Sequence, residues 1–198
     1  AKLMADLGAN VIRPEPLEGD PLRTRGPFIQ STDQEKQSIW HAYFCSSRRS
    51  ITLDLDSAED SEQFELLLTK ADIVLTCPGA FGVERSKEIL KNKNQEELIF
   101  IDTCSFRPDC EWADYIAPDI VAGALGGQIA TTGDADTAPL KNFGELNFMV
   151  SGAYTAISAL SALYNRRETG SGQRVEVSVH ECIASCLEHV FMFYWYGE

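Results

Sequence analysis

The stretch from Asn147 to Val179 constrains the fold more than any other part of the sequence. Small and apolar residues from Ser151 to Asn165 predict a helix, and Arg166-Arg167 suit its C-terminus because positive charge offsets the exposed carbonyl dipoles there. Thr169-Gly170-Ser171-Gly172 predicts a tight turn, since glycine adopts backbone angles that other residues avoid. Polar and apolar residues then alternate from Arg174 to Val179, which predicts a strand buried on one face. Helix, turn and strand together form half of an α/β unit.

The rest of the chain follows the same order of elements. Short apolar strands alternate with helices and turns, which is typical of a parallel α/β sheet with flanking helices. Ser57 with acids in the following turn predicts a capped helix start, and residues 18–36 predict a polar loop. The predicted strands cover Ala9–Arg13, Ile51–Leu55, Asp72–Thr76 and Leu98–Asp102, and further helices are predicted over Glu84–Leu90 and Asp119–Leu125.

Composition excludes several classes of function. The 198 residues, 44% of them hydrophobic, suffice to bury a core. A net charge of −13 argues against a nucleic-acid partner, because no basic field offsets the acids. The six cysteines contain no CxxC pair, which predicts reduced thiols in a cytoplasmic protein rather than a disulfide framework or a metal cluster. No apolar run reaches the length that we expect of a membrane span, so we expect no membrane partner.

Both ends of the sequence predict a piece of a larger protein. Residues 1–8 have the pattern of the last turns of a helix that ends at Gly8, without a visible start. Leu187–Tyr196 is rich in aromatic residues and predicts a helix or a strand without a terminal cap. We therefore expect residues 1–198 to form a single partial domain, truncated at both ends.

Five segments, read in order, resemble the class III CoA-transferase family (the CaiB/BaiF type, which includes formyl-CoA transferases and α-methylacyl-CoA racemases). They occur in the family's order and at roughly its spacing, and they cover nearly the whole chain. The densest match falls on the helix, turn and strand described first. The matching segments are Leu7–Arg13 with Glu15, Gly19-Asp20-Pro21 with Arg25-Gly26-Pro27, Arg48–Leu55, Lys70–Val74, and Ala162–Gln173.

The resemblance implies a fold and an assembly. Members have a Rossmann-like large domain and a smaller domain, and their two ring-shaped subunits interlock as a dimer. Residues 1–198 would hold most of the large domain, without its first strand and without the small domain. The implied partners are acyl-CoA or CoA, together with an interlocked homodimer or a tandem partner domain.

The resemblance also implies covalent catalysis by a carboxylate. In the family an aspartate attacks the acyl-CoA thioester to give a mixed anhydride, and CoA then attacks to give an aspartyl-CoA thioester, so that one hard displacement becomes easier steps. That aspartate lies four positions before a glycine, and alignment on Gly152 places Phe148 there. Phenylalanine is neither a nucleophile nor a proton carrier. The resemblance therefore predicts that this segment retains no catalytic residue.

Two neighbours are the nearest substitutes for this aspartate. A one-residue shift brings in Asn147, whose amide is not a nucleophile, and a three-residue slip brings in Glu145, for which a surface glutamate is the alternative. In racemases of the family a histidine shares proton transfer with the same aspartate. It would fall near Ile116-Ala117, just before Asp119, and neither of the two residues titrates. Racemisation is therefore disfavoured.

The implied ligand, coenzyme A, would lie along loops at the strand ends. Arg13 takes the place of a basic residue at a strand exit, and a solvated arginine is the alternative. Cys77-Pro78-Gly79 replaces a loop that lies against CoA, where Gly79 permits close approach and Cys77 is expected to pack rather than react. Arg85 matches an arginine near the phosphates, and the alternative is a surface pair with Glu84 or Glu88.

Other features have structural interpretations. Gly126-Gly127 corresponds to a glycine pair beside the family's active site, or serves close packing. His180 and His189, each with an adjacent glutamate, are expected to pack rather than to bind a metal ion. The aromatic residues from Phe191 to Tyr196 predict a core or a subunit interface. Pro16 stands where some members have an adenine-stacking arginine, so that contact is lost.

Four functions remain open on the sequence alone. The first is an acyl-CoA-processing protein of this family whose present segment is catalytically silent, and the second is an active transferase that uses Glu145. The third is a nucleotide- or NAD-binding Rossmann domain, although no GxGxxG motif follows a strand. The fourth is a non-catalytic dimerisation or interaction module whose pocket is filled by Phe148.

Overall fold

The computed structural model describes residues 1–30, 36–92 and 96–197 of the chain. The chain divides into two compact units, residues 1–71 with 79–95 (unit 1) and residues 72–78 with 96–198 (unit 2). Both units pair strands in parallel and pack helices beside them, which confirms the predicted α/β class. The prediction of a single partial domain stays a prediction.

Unit 1 contains two small sheets. Strands β1 and β4 pair in parallel, so that Glu15 lies opposite Thr52, and β2 and β3 form an antiparallel pair. A 3₁₀ turn, Pro21–Thr24, follows β1. Five residues of the predicted 18–36 loop, 31–35, lie outside the described part of the chain. The elements are α1 (Lys2–Asp6), β1 (Ile12–Glu15), β2 (Phe28–Gln30), β3 (Lys36–Ser38), α2 (Ile39–Phe44), β4 (Arg49–Thr52), α3 (Ala58–Lys70) and α4 (Val83–Asn92).

Unit 2 is a three-stranded parallel sheet with helices packed beside it. The strand order is β5-β6-β7, and Phe100 at its centre lies opposite both Val74 and Arg174. The elements are β5 (Ile73–Thr76), β6 (Ile99–Cys104), α5 (Asp119–Leu125), α6 (Leu146–Thr169), β7 (Arg174–Ser178), α7 (Val179–Ser185) and α8 (Glu188–Tyr196).

Strand β6 forms the centre of the unit 2 core. Its first four residues are all buried, and Ile99 and Ile101 expose none of their surface. A run without polar alternation is typical of a parallel strand covered on both faces. Helix α6 packs on β6 and β7 through the small residues Ser151, Thr155, Ala159 and Ala162, which recur every three or four positions and so lie on one face.

The C-terminal end of α6 is fixed to the sheet by a few specific contacts. Gly170 ends the helix at φ 77°, a conformation that side chains rarely adopt. The backbone of Gly172 passes so close to β6 that a Cβ there would lie 2.1 Å from the carbonyl oxygen of Leu98. Arg166 donates hydrogen bonds to the carbonyl oxygens of Asp72 (3.3 Å) and Glu97 (3.0 Å) and to the Asp72 carboxylate (3.0 Å). The predicted turn is thus confirmed, and Arg166 binds the entries of two strands.

Some element boundaries differ from the predicted ones. Helix α6 begins at Leu146, five residues before the predicted start at Ser151, because its first turn is capped from outside the helix. Ser57 is the N-cap residue of α3, but its side chain makes no capping hydrogen bond. The aromatic segment from Glu188 to Tyr196 is a helix, whose residues from Phe191 onward are exposed.

Helix α6 is longer as an apolar segment than the sequence analysis expected, since no run long enough to span a membrane was predicted. Its 24 residues are long and apolar enough to cross a membrane by length and composition, which no other helix in the described ranges matches. A core helix of a globular domain passes the same criterion, and α6 buries one face against β6, β7, α5 and α7.

Candidate active site

Position 148 lies in the first turn of α6, the third residue of the helix. Its side chain is a phenylalanine with 41% of its surface exposed. The backbone carbonyl of Phe148 accepts a hydrogen bond from Ser151 Oγ (3.0 Å). Position 148 is therefore a surface-accessible point at a helix N-terminus, and its phenylalanine side chain cannot attack a thioester.

The first turn of α6 is held by a carboxylate from another helix. Asp119, at the start of α5, accepts hydrogen bonds at Oδ1 from the backbone N–H groups of Asn147 (2.9 Å) and Phe148 (3.1 Å). The N-terminal amides of a helix have no partners within the helix, and a carboxylate there is favoured by the helix dipole. Asp119 is only 4% exposed, so it serves as a buried cap for α6.

Asn147 adds a second connection between the two helices. Its side-chain nitrogen donates to Asp119 Oδ2 and to the Asp119 backbone carbonyl, both at 2.9 Å, while its side-chain oxygen has no hydrogen-bond partner. The residue is 1% exposed. Gly123 makes room for it, because a Cβ at that position would lie 2.7 Å from the Asn147 amide nitrogen.

Lys141 completes the charge balance of this cluster. Its ammonium lies 3.4 Å from Asp119 Oδ2 and donates to the backbone carbonyls of Asn142 (3.0 Å) and Gly144. A buried carboxylate is costly unless it is paired and hydrogen-bonded, and Asp119 meets both conditions. We call Asp119, Asn147, Gly123 and Lys141 the α6 clamp.

Glu145, the predicted substitute nucleophile, occupies the N-cap position of α6. Its side chain is half-buried and makes no capping hydrogen bond, while its backbone carbonyl accepts from Met149 N (3.0 Å).

The racemase positions carry no titratable group: Ile116 is 89% exposed and Ala117 is buried. At Gly126 a Cβ would lie 2.6 Å from Ile183, which explains this glycine by packing.

Three of the predicted CoA contacts lie in unit 1. Arg13, at the second position of β1, forms an ion pair with the buried carboxylate of Asp20. Arg85, on α4, contacts Glu88 (2.9 Å) and Ser61 Oγ (3.5 Å), so the surface pair named as its alternative is present. Gly79 has φ 72° and open space where a side chain would stand.

The other two predicted contacts lie in unit 2. Cys77 and Pro78 follow directly after β5, at the carboxyl end of a parallel strand. Both are exposed, so Cys77 is not packed as expected. Ligands of open α/β sheets bind outside such strand ends. None of the six cysteines, all within the described ranges, forms a disulfide.

The loop after β1 in unit 1 is organised by a buried carboxylate, Glu15. It accepts two hydrogen bonds from the Arg23 guanidinium (2.8 and 3.0 Å), one from Ser50 Oγ (2.6 Å) and one from Asp20 N (2.9 Å). The hydrogen bonds from Arg23, together with those from Ser50 and the Asp20 amide, outweigh burial and lower the pKa of Glu15 to about 2. The sequence identified Glu15 only as a match to the family. The signal that could have indicated its role in the loop was the Gly19-Asp20 turn, which the Glu15 carboxylate holds through the Asp20 amide.

His180 packs as predicted, whereas His189 is exposed on α8. His180 Nδ1 lies 2.9 Å from Ser178 Oγ, and its ring packs on Phe106. His189 meets Phe193 edge to face. Within residues 1–30, 36–92 and 96–197, no group of three His, Cys, Asp or Glu side chains is arranged to hold a metal ion.

The structure thus brings together a cluster that sequence reasoning missed. Asp119 was predicted only as a helix start, and it lies 28 positions from Asn147 in the sequence. The available signal was the residue before the helix, Glu145, which is not one of the residue types that cap a helix well. A long helix without a local cap requires acceptors from elsewhere.

Comparison with known proteins identifies the scaffold. A family model described as CoA-transferase family III matches residues 1–198. The succinyl-CoA:mesaconate CoA-transferase of Haloarcula hispanica is 29% identical over 99% of this chain and 51% of its own length. The subunit BbsE of the succinyl-CoA:(R)-benzylsuccinate CoA-transferase of Thauera aromatica is 30% identical over 98% of this chain and 48% of its own length.

A solved structure shows the same arrangement. A CAIB/BAIF family protein from Brucella suis is 29% identical and superposes with a TM-score of 0.88 over 100% of this chain and 53% of its own. The chain spans about half the length of the curated relatives that it matches. Since the family model covers the whole chain, the resemblance drawn from the five segments is confirmed, and the chain belongs to CoA-transferase family III.

Proposed function

We propose that the protein containing this chain transfers CoA between carboxylic acids by way of acyl-CoA thioesters, and that the present segment is catalytically silent. The observation that carries the second part is Phe148, which stands exposed in the first turn of α6 where the family has its nucleophile. Family membership supports the first part, as do the two relatives named above, a succinyl-CoA:mesaconate CoA-transferase and a subunit of a succinyl-CoA:(R)-benzylsuccinate CoA-transferase. CoA is the proposed ligand, and no metal is required.

Each unit offers candidate contacts of its own. Arg13 and Arg85 keep 38% and 43% of their side chains exposed, so each guanidinium can exchange its carboxylate partner for a phosphate oxygen. Gly79 offers open space for close approach of a ligand to the backbone. Cys77 and Pro78 would contribute packing at the end of β5.

The position of Phe148 restricts which partner can restore catalysis. A homodimer of identical chains repeats Phe148 in both subunits, so it supplies no carboxylate at this position. An assembly with an aspartate at this position would obtain it from a non-identical segment, such as a tandem partner domain. We propose that such an assembly lies in the cytoplasm. For a protein without an intact aspartate in any segment, we propose an interlocked homodimer that has no catalytic activity.

One alternative has a specific observation in its favour. Glu145 stands at the N-cap of the same helix, three residues before Phe148, and is half-buried. A displaced carboxylate at this point could take the place of the missing aspartate. The experiment below distinguishes the two functions.

The test is covalent trapping in the full-length protein. The protein is incubated with succinyl-CoA and then with hydroxylamine, which converts an activated carboxylate to a hydroxamate that peptide mass spectrometry locates. We expect no hydroxamate on Glu145 or elsewhere in this segment. A hydroxamate on Glu145 would instead establish the displaced nucleophile.

Ligand binding separates the remaining functions. Titration calorimetry with CoA and with NAD should show tighter binding of CoA. Tighter binding of NAD would favour a dinucleotide-binding domain. An absence of heat with both ligands would leave only the interaction module.

A further inference from the structure

The start of α6 receives capping hydrogen bonds from Asp119 of α5. The N-cap residue Glu145 makes no side-chain capping bond, and the helix then continues for 24 residues. Two of its first amides, those of Asn147 and Phe148, donate to the same oxygen of Asp119. Residue 148 is therefore attached to α5 through its own backbone.

The hydrogen bonds of the Asn147 side chain also fix the orientation of α6 relative to α5. These two hydrogen bonds reach the Asp119 carboxylate and the Asp119 backbone carbonyl, so α6 can neither slide nor rotate against α5 without breaking them. Gly123 provides the space that this amide occupies, because a Cβ there would lie 2.7 Å from the amide nitrogen. Four hydrogen bonds from two consecutive residues thus converge on one aspartate.

We propose that Asp119 is a positioning residue that sets the place and direction of side chain 148, so that the segment keeps a geometry fit for a nucleophile although it carries phenylalanine. This inference rests on the proposed function, which takes position 148 as the nucleophile position. Asp119 itself is not a nucleophile. Its oxygens are engaged by Asn147, Phe148 and Lys141, and the residue is 4% exposed.

Hydrogen exchange measured by mass spectrometry on the full-length protein tests the positioning role. In Asp119→Ala, exchange in a peptide covering residues 146–150 should be about tenfold faster, as for the loss of a helix cap, while β6 and the C-terminal half of α6 remain protected. Asp119→Asn should recover much of the protection, since its amide oxygen still accepts from the two backbone amides. Asp136→Ala removes an exposed acid of the same unit and should change nothing.

A second readout uses a restored nucleophile. In Phe148→Asp, trapping with succinyl-CoA and hydroxylamine should modify residue 148, and adding Asp119→Ala should reduce the modified fraction at least tenfold while Asp119→Asn reduces it less. Uniform loss of protection across unit 2 in Asp119→Ala, or unchanged exchange at 146–150, would overturn the inference. A failure of Phe148→Asp to react, with local exchange as expected, would overturn the assignment of position 148 as a usable nucleophile position and leave standing the hydrogen-bonded positioning of residue 148 by Asp119.

Discussion

At the scale of single residues, Glu15 shows how one carboxylate fixes a loop in unit 1. The residue is 3% exposed and receives hydrogen bonds from Arg23, Ser50 and the backbone of Asp20. Those donors favour the ionised form, and the pKa of Glu15 falls from 4.5 to about 2. The loop that carries Gly19-Asp20, a family match, is therefore stabilised by a charge that survives at moderately acid pH.

Glu15→Gln should lower the free energy of unfolding by about 1–3 kcal/mol at pH 7, because Arg23 loses its charged partner but stays 44% exposed to water. The folded pKa is below the unfolded one, so this stabilisation is complete above about pH 4.5 and disappears as the pH falls toward 2. Urea unfolding at pH 7 and pH 3 measures the difference between variant and native protein. The difference should shrink at pH 3, and a constant difference would show that the charge of Glu15 is irrelevant.

The matched control for this variant is Glu62→Gln. Glu62 is an exposed glutamate on α3 in the same unit. Its replacement should change stability by less than about 0.5 kcal/mol at either pH. An effect as large as that of Glu15→Gln would assign the loss to net charge rather than to the buried cluster.

Two helical glycines of unit 2 give opposite predictions. Gly123→Ala places a Cβ 2.7 Å from the Asn147 amide and should cost about 1–3 kcal/mol, since the clamp must shift. Gly152→Ala meets nothing within 4 Å and should stabilise α6 by about 0.5–1 kcal/mol, because alanine favours the helix. Thermal unfolding of both variants checks the signs. Equal destabilisation would contradict the packing described for the clamp.

At the scale of elements, α6 is held differently at its two ends. Its C-terminal end was predicted from local residues, since the glycine turn and the arginines lie next to each other in sequence. Its N-terminal end was not, because the cap is Asp119, 28 positions away. A helix end that is stabilised by its neighbours in sequence can be predicted, whereas one that is stabilised by a tertiary contact cannot.

Arg166 and Arg167 allow the C-terminal contacts to be measured. Arg166→Ala removes hydrogen bonds to two backbone carbonyls and to Asp72, and we expect a loss of about 1–2 kcal/mol in the free energy of unfolding. Arg167→Ala, at an exposed neighbouring position, should cost less than about 0.5 kcal/mol. Urea denaturation compares them. Similar losses in both variants would mean that only the helix dipole matters, as the sequence suggested.

At the scale of the whole chain, the sequence predicted the α/β class and the family, because strand and turn patterns are local and the five segments keep their order. The predicted contacts for CoA are less determined: Arg13, Gly79 and Arg85 lie in unit 1, whereas Cys77 and Pro78 lie in unit 2. Arg13 pairs with Asp20 and Arg85 pairs with Glu88, both within unit 1. The sequence indicated Glu88 as a partner of Arg85, but no sequence pattern indicated Asp20 as the partner of Arg13. Pairing partners depend on tertiary geometry, so a motif match alone does not assign a ligand contact.

We propose that this segment keeps a scaffold of CoA-transferase family III and lacks the nucleophile at position 148. The most direct test of this proposal compares the full-length native protein with Phe148→Asp by succinyl-CoA and hydroxylamine trapping, read by peptide mass spectrometry. The native segment should carry no hydroxamate, and the variant should carry one at residue 148. A hydroxamate on Glu145 or Asp119 of the native segment would contradict the claim of silence. An unmodified variant that still binds CoA would contradict the claim that the rest of the site is kept.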